Sequence, residues 1–140
     1  MPFGHTLGFS VESVAPGEAV VVMQCDSTLH NILNYTHGGA IFSIADTAIG
    51  LAHLASVQSH QITTTIESKI SFLRPVMGGE LRAYARCIKQ GRTLSLFECD
   101  VCDSKGKLAA RASATMMTLQ DERCEGRGRL YAAQPDSINI

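Results

Sequence analysis

Two hydrophobic periods alternate along the 140-residue chain. Leu7 to Val14 and Glu18 to Cys25 read as strands, with Ala15-Pro16-Gly17 as the turn between them. A polar stretch, Asp26 to His37, leads into the most apolar segment, where Ile41, Ile44, Ala45, Ala48, Ala52 and Ala55 recur at helical spacing. Phe42, Ile49, Leu51 and Leu54 fill much of the other side, which predicts a helix buried nearly all round. Its small residues allow close approach to a sheet. Strands alone follow: Ile62 to Arg74, Glu80 to Lys89, Thr93 to Asp103 and Leu108 to Leu119. Gln90-Gly91-Arg92 and Ser104-Lys105-Gly106-Lys107 mark the turns between the last three. Runs of strands beside one long helix predict an α+β fold, with a curved antiparallel sheet of five to six strands wrapped around that helix.

The ends carry less pattern. The opening half-dozen residues contain Pro2 and Gly4 without a period, and Gln120 to Ile140 mix charge, glycine and Pro135. The expectation is a single domain over residues 1–119 and a tail over 120–140 that is flexible or draped on the surface.

Composition narrows the class. With 45% hydrophobic and 18% charged residues the chain can bury a core. Twelve basic against thirteen acidic residues lack the electrostatic footprint of a nucleic-acid binder, though a small basic patch for one phosphorylated ligand is compatible with them. No apolar run approaches the roughly 20 residues that span a bilayer, and the start has no secretory pattern. No nucleic-acid or membrane partner is therefore expected. Cys25, Cys87, Cys99, Cys102 and Cys124 read as reduced thiols of a cytoplasmic protein. Cys99-Asp100-Val101-Cys102 has a metal or redox spacing, but a strand sends its two sulfurs to opposite faces, so no metal site is expected.

The candidate chemistry lies at the start of the helix. His37-Gly38-Gly39 stands where the polar stretch becomes helix, and helix N-termini leave backbone N–H groups unpaired within a positive partial charge. Glycine lets a ligand approach that backbone, so the site suits an anion or a developing oxyanion. Taken alone, a Gly-Gly before a helix favours tight packing of loop against sheet over a ligand site. Asp46 adds weight, because a carboxylate among Ala45, Ala48 and Ile49 is costly unless paired and is suited to general-base work; a carboxylate on a sliver of solvent, or one bonded to Thr47 or a cap elsewhere, is an equal alternative. Eight residues of helix separate Gly38 from Asp46, about 12 Å along the axis. One reacting carbon cannot touch both, so if both act, Asp46 comes from a second copy of the chain.

The run from Asn31 to Ala48, NILNYTHGGAIFSIADTA, resembles the N-x-x-G-x-x-H-G-G-x-x-x-x-x-x-D signature of hotdog-fold acyl-CoA thioesterases, in particular the phenylacetate-degradation (PaaI-like) branch. Phe72-Leu73-Arg74-Pro75, Gly79, Gln90-Gly91-Arg92 and Asp103 to Gly106 are similar to that family's strand and turn pattern, so the likeness covers Leu7 to Leu119. The family's glycine three residues after the Asn is Asn34 here, a residue that tolerates left-handed backbone.

The resemblance implies a hotdog fold, a central helix in a curved sheet, with subunits joined into a homodimer or homotetramer that shares its active sites. It implies an acyl-CoA substrate, with coenzyme A as part of the substrate rather than a cofactor. By resemblance, the N–H of Gly38 polarises the thioester carbonyl and Gly39 supports the turn. Asn31 and His37 orient carbonyl or water, and the Asp46 of the partner subunit is base or nucleophile. A Ser or Thr early in the third strand helps hold the water in some relatives, which points to Thr64 or Thr65. Arg74, Lys89 and Arg92 are the candidates for the coenzyme A nucleotide, although each is equally readable as surface charge. The acyl group, aryl or fatty, is not legible. The competing function is a non-hydrolytic acyl-CoA binder or regulator, with a hotdog dehydratase third.

Overall fold

A short helix begins the chain where no periodicity announced one. In the computed structural model, which describes residues 1–120, α1 covers Pro2–Leu7. Pro2 occupies the first turn, where a missing N–H costs nothing, and Gly8 ends the helix in the left-handed region at φ 74°. The first strand therefore starts two residues later than the pattern suggested, after that cap. Phe3 meets Phe9 edge to face at 6.4 Å and ties α1 to the sheet.

The remaining elements follow the expected order. They are β1 (Phe9–Ala15), β2 (Glu18–Cys25), α2 (Gly38–Leu54), β3 (Gln61–Phe72), β4 (Gly79–Lys89), β5 (Leu94–Cys102) and β6 (Leu108–Gln120). The strands form one antiparallel sheet of six in the order β1-β2-β4-β5-β6-β3. This is the α+β hotdog architecture. Pro16-Gly17 closes the first hairpin, with Gly17 at φ 80°. In the β5–β6 hairpin Asp103 Oδ1 accepts from the N–H groups of Lys105 and Lys107, both at 2.9 Å. Gln120, expected in the tail, pairs with Gln61 as the last residue of β6. Residues 121–140 lie outside the described part, and with them the rest of the expected tail.

The core fills the space between one sheet face and α2. Met23, Leu81, Phe97, Val101 and Met116 point from the sheet to Ile44, Ala48 and Ile49, all at 2% exposure or less. Alanines at 83, 112 and 114 hold the helix close, and a larger side chain there would overpack the contact at about 1–3 kcal/mol. The other sheet face carries charge. Arg82 pairs with Glu12 and Glu80, and Arg86 and Arg111 converge on Asp100.

Two features depart from the picture of a fully wrapped helix. The sheet covers one side of α2, leaving an open strip through Gly39, Ser43, Asp46 and Gly50. And β3, an edge strand of twelve residues, is largely exposed, with Ile66 at 50% and Phe72 at 54%. Among the described residues no helix is long and apolar enough to cross a membrane.

Candidate active site

Asn31 builds the loop that enters α2. Its Oδ1 accepts from the N–H of Leu33 (2.9 Å) and of Tyr35 (3.2 Å), and its own N–H donates to the carbonyl of Tyr35 at 2.7 Å. This folds residues 31–35 into a tight turn in which Asn34 takes φ 64°, the left-handed conformation its side chain tolerates. Thr36 N–H bonds Val76 O and His37 N–H bonds Leu29 O, both at 2.7 Å, so both flanks of the helix entrance are anchored.

His37 is the N-cap, with extended backbone at φ −60°, ψ 134°. Its Nδ1 accepts from the N–H of Gly39 at 2.8 Å, which leaves the ring proton on Nε2. Its carbonyl takes the N–H groups of Ala40 (2.9 Å) and Ile41 (3.2 Å). Ile41 begins the regular helical ladder, and of the four N–H groups that a helix start leaves unpaired, those of His37, Gly39 and Ala40 are satisfied. The fourth, that of Gly38, has no partner among the described residues.

Gly38 lies in a cleft of about 340 Å³ with Asn31, Tyr35, Ile41, Phe72 and Arg74 on its walls. A Cβ added to Gly38 would stand 3.1 Å from the Phe72 ring, so glycine is what keeps the cleft open beside the helix. The uncapped donor, the dipole behind it and an apolar wall together suit a carbonyl oxygen that gains negative charge.

The other expected residues are spread out within one chain. The neighbours Ala45, Ala48 and Ile49 are buried, as expected, while Asp46 itself stands on the open strip, exposed, because its side of the helix faces away from the sheet; of the two readings the sequence offered, the solvent-facing carboxylate holds within one chain. Nearby protein still removes enough water to push its carboxyl above the ordinary carboxylate range. Thr64 and Thr65 sit on β3, where Thr65 Oγ1 contacts Met116 Sδ at 3.4 Å. Phe72 is the β3 residue at Gly38, and eight residues of strand put Thr64 about 26 Å away. Lys89 and Arg92 flank the β4–β5 turn, which Ser56 and Gln90 tie to the far end of α2. Of the three cations, Arg74 alone reaches the Gly38 cleft of its own chain. Lys105 and Lys107, which carried no special signal in the sequence, lie with Arg74 around an adjoining cleft of about 540 Å³. Cys99 is wholly buried and its thiol is pushed up to about 12 by desolvation, while Cys102 is half-buried. Among the described residues no group of His, Cys, Asp or Glu could hold a metal ion.

The Thioesterase superfamily model matches residues 33–110, which include the Gly38 elbow and Asp46. The chain belongs to the thioesterase superfamily. Acyl-coenzyme A thioesterase PaaI of Escherichia coli is 33% identical over 109 residues, covering 74% of this chain and 73% of that protein. The 1,4-dihydroxy-2-naphthoyl-CoA hydrolase of Listeria monocytogenes is 26% identical, covering 83% and 94%. The solved E. coli PaaI structure superposes with a TM-score of 0.81 at 26% identity, covering 86% of each chain. This thioesterase is therefore a PaaI-like hotdog protein, and its enzyme class is thioester hydrolysis.

Proposed function

We propose that this thioesterase hydrolyses an acyl-CoA to the free acid and coenzyme A at a site shared by two subunits. The observation that carries the reading is the single uncapped N–H of Gly38, at a helix start whose other donors are all satisfied. The thioester carbonyl accepts from it. The Asp46 of the partner subunit takes a proton from water, and the hydroxide adds to the carbonyl carbon. The negative charge that develops on the oxygen is held by Gly38. Collapse breaks the C–S bond and releases the coenzyme A thiolate, which takes up the proton. A carboxyl lifted above the ordinary range is a better base near neutrality, which supports this role for Asp46. His37 Nε2–H and the Nδ2 of Asn31, which makes no hydrogen bond among the described residues, orient water and substrate.

A shared site needs a second copy, and β3 offers the means. It is a long edge strand with its outer side unpaired among the described residues, the feature that sheets otherwise blunt or cover. Two copies joined through β3 make one continuous sheet with the partner's threonines and Asp46 free to approach Gly38. Arg74 at the Gly38 cleft, with Lys105 and Lys107 around the adjoining one, suits the phosphates of coenzyme A, and the Asp103 carboxylate of that second cleft is engaged by the hairpin N–H groups. The test is thiol release from a panel of acyl-CoAs. Turnover that is lost in Asp46→Asn supports the reading; tight acyl-CoA binding without thiol release would make the protein a binder instead.

A further inference from the structure

Two cavities flank the His37-Gly38-Gly39 elbow and share no lining residue. One holds Gly38 and opens past Leu73–Val76 toward the cations Arg74, Lys105 and Lys107. The other, about 420 Å³, lies between α1 and α2, with Phe3, Leu7, Leu29 and Ala40 as its apolar wall and the uncharged polar side chains of Thr28, His30, His37 and Ser43 around it. No Lys, Arg, Asp or Glu lines it. Its size lies within the range of small-ligand sites, which are mostly apolar with a few fixed polar groups. Phe3 and Leu7 come to it together because they are four residues apart on α1, a helix that the Gly8 cap and the Phe3–Phe9 contact hold in place.

A thioester has two arms of opposite character, and the elbow has two sides of matching character. We propose that the substrate lies across the α2 N-terminus with its coenzyme A arm over Arg74 and its apolar acyl group in the α1–α2 cavity, where Phe3 and Leu7 set the size accepted. This rests on the thioesterase reading above and adds a direction and a specificity element to it. The energetic reason is that an apolar tail gains from leaving water only on the side without charges, while phosphates gain only on the side with them.

The test compares the parent with Phe3→Ala/Leu7→Ala and with Phe3→Trp, using acetyl-, octanoyl- and phenylacetyl-CoA. Octanoyl and phenylacetyl distinguish a fatty from an aryl tail. Pocket contacts of this kind are worth about 10-fold in discrimination. The kcat/KM ratio of the preferred longer substrate to acetyl-CoA should fall by that factor in the double variant. Phe3→Trp, which narrows the cavity without removing the wall, should shift preference to the smaller acyl group. Calorimetry with the non-hydrolysable thioether S-octyl-CoA separates this inference from the hydrolysis reading. The parent should bind it more tightly than coenzyme A, and the double variant should lose that gain. Parent turnover with substrate ratios unchanged in both variants, or an S-octyl gain that survives them, would overturn the assignment. Absence of turnover together with a lost S-octyl gain would sink the hydrolysis reading and leave the cavity assignment standing.

Discussion

Replacing Gly38 by proline removes one atom group of the site and nothing from the fold. Gly38 is the first residue of α2, and its N–H makes no hydrogen bond among the described residues, so proline forfeits no helical bond. The preceding residue, His37, already has the extended φ −60°, ψ 134° that a residue before proline requires. The side-chain atoms of proline meet the same Phe72 ring as an alanine Cβ, 3.1 Å away, and Phe72 is 54% exposed and free to yield. Gly38→Ala is thus the control for crowding. It keeps the N–H, and its kcat should fall by about 10-fold through a displaced substrate. Gly38→Pro should fall by about 10²–10³ below that, the cost of one lost oxyanion donor, or about 2.7–4 kcal/mol of transition-state stabilisation. Thermal midpoints of both variants should stay within a few degrees of the parent, because the backbone at the helix start suits either residue and only the half-exposed Phe72 ring has to shift. The assay is thiol release under saturating acyl-CoA, with melting followed by circular dichroism. If Gly38→Pro turns over as fast as Gly38→Ala, the oxyanion is not held by this N–H and the reasoning fails.

Asp46→Asn should lower kcat by about 10²–10⁴ while KM changes little. It should also abolish an acid limb of the rate profile that lies above the usual carboxylate range; a variant retaining both rate and limb moves the base elsewhere. His37→Ala loses the Gly39 cap and should destabilise the protein by about 1 kcal/mol in denaturant titration, with a smaller kcat loss than Gly38→Pro. Buried His53 rests against Phe97 and Thr118, and desolvation lowers its pKa from 6.5 to about 4. The unfolded chain binds that proton first, so stability should fall as pH drops from 6.5 to 4, by about 3 kcal/mol in all. His53→Gln should flatten that slope in urea titrations, and an unchanged slope would show that other groups carry it.

The legible part of the fold was the part fixed by local period and turn chemistry. Pro16-Gly17, Gly91 and the Asp103–Lys107 hairpin each close a strand pair where the turn residues demanded it. The start of α2 was legible because His37-Gly38-Gly39 is cap chemistry followed by helical spacing. α1 was missed because six residues are too short to show a period, although Pro2 and Gly8 stand as start and stop signals. The open strip of α2 was missed for a different reason. Phe42 and Leu54 made the helix read as apolar all round, whereas the positions the sheet leaves uncovered, Gly39, Ser43, Asp46 and Gly50, are the small and polar ones. At the site, Asn31, His37 and Gly38 adjoin one elbow because they are close in sequence. Thr64, Thr65, Lys89 and Arg92 do not join it within a chain, since their positions depend on strand direction, which residue spacing alone does not encode. Lys105 and Lys107 come to the cleft adjoining that of Gly38 through the β5–β6 hairpin, and Phe3 and Leu7 come to the elbow through the docking of α1, so only the fold exposes them.

The central claim is that Gly38 of one subunit works with the Asp46 of the partner subunit, and subunit mixing tests it most directly. Gly38→Pro and Asp46→Asn proteins, each nearly inactive, are unfolded together in equal amounts, refolded and assayed. In a dimer with one subunit of each kind, one site joins an intact Gly38 to an intact Asp46 and the other site lacks both. Half of the random dimers are of this kind, so the mixture should recover about a quarter of the parent activity. Activity no greater than the mean of the two separate variants would mean that both groups act within one chain, contradicting the shared site.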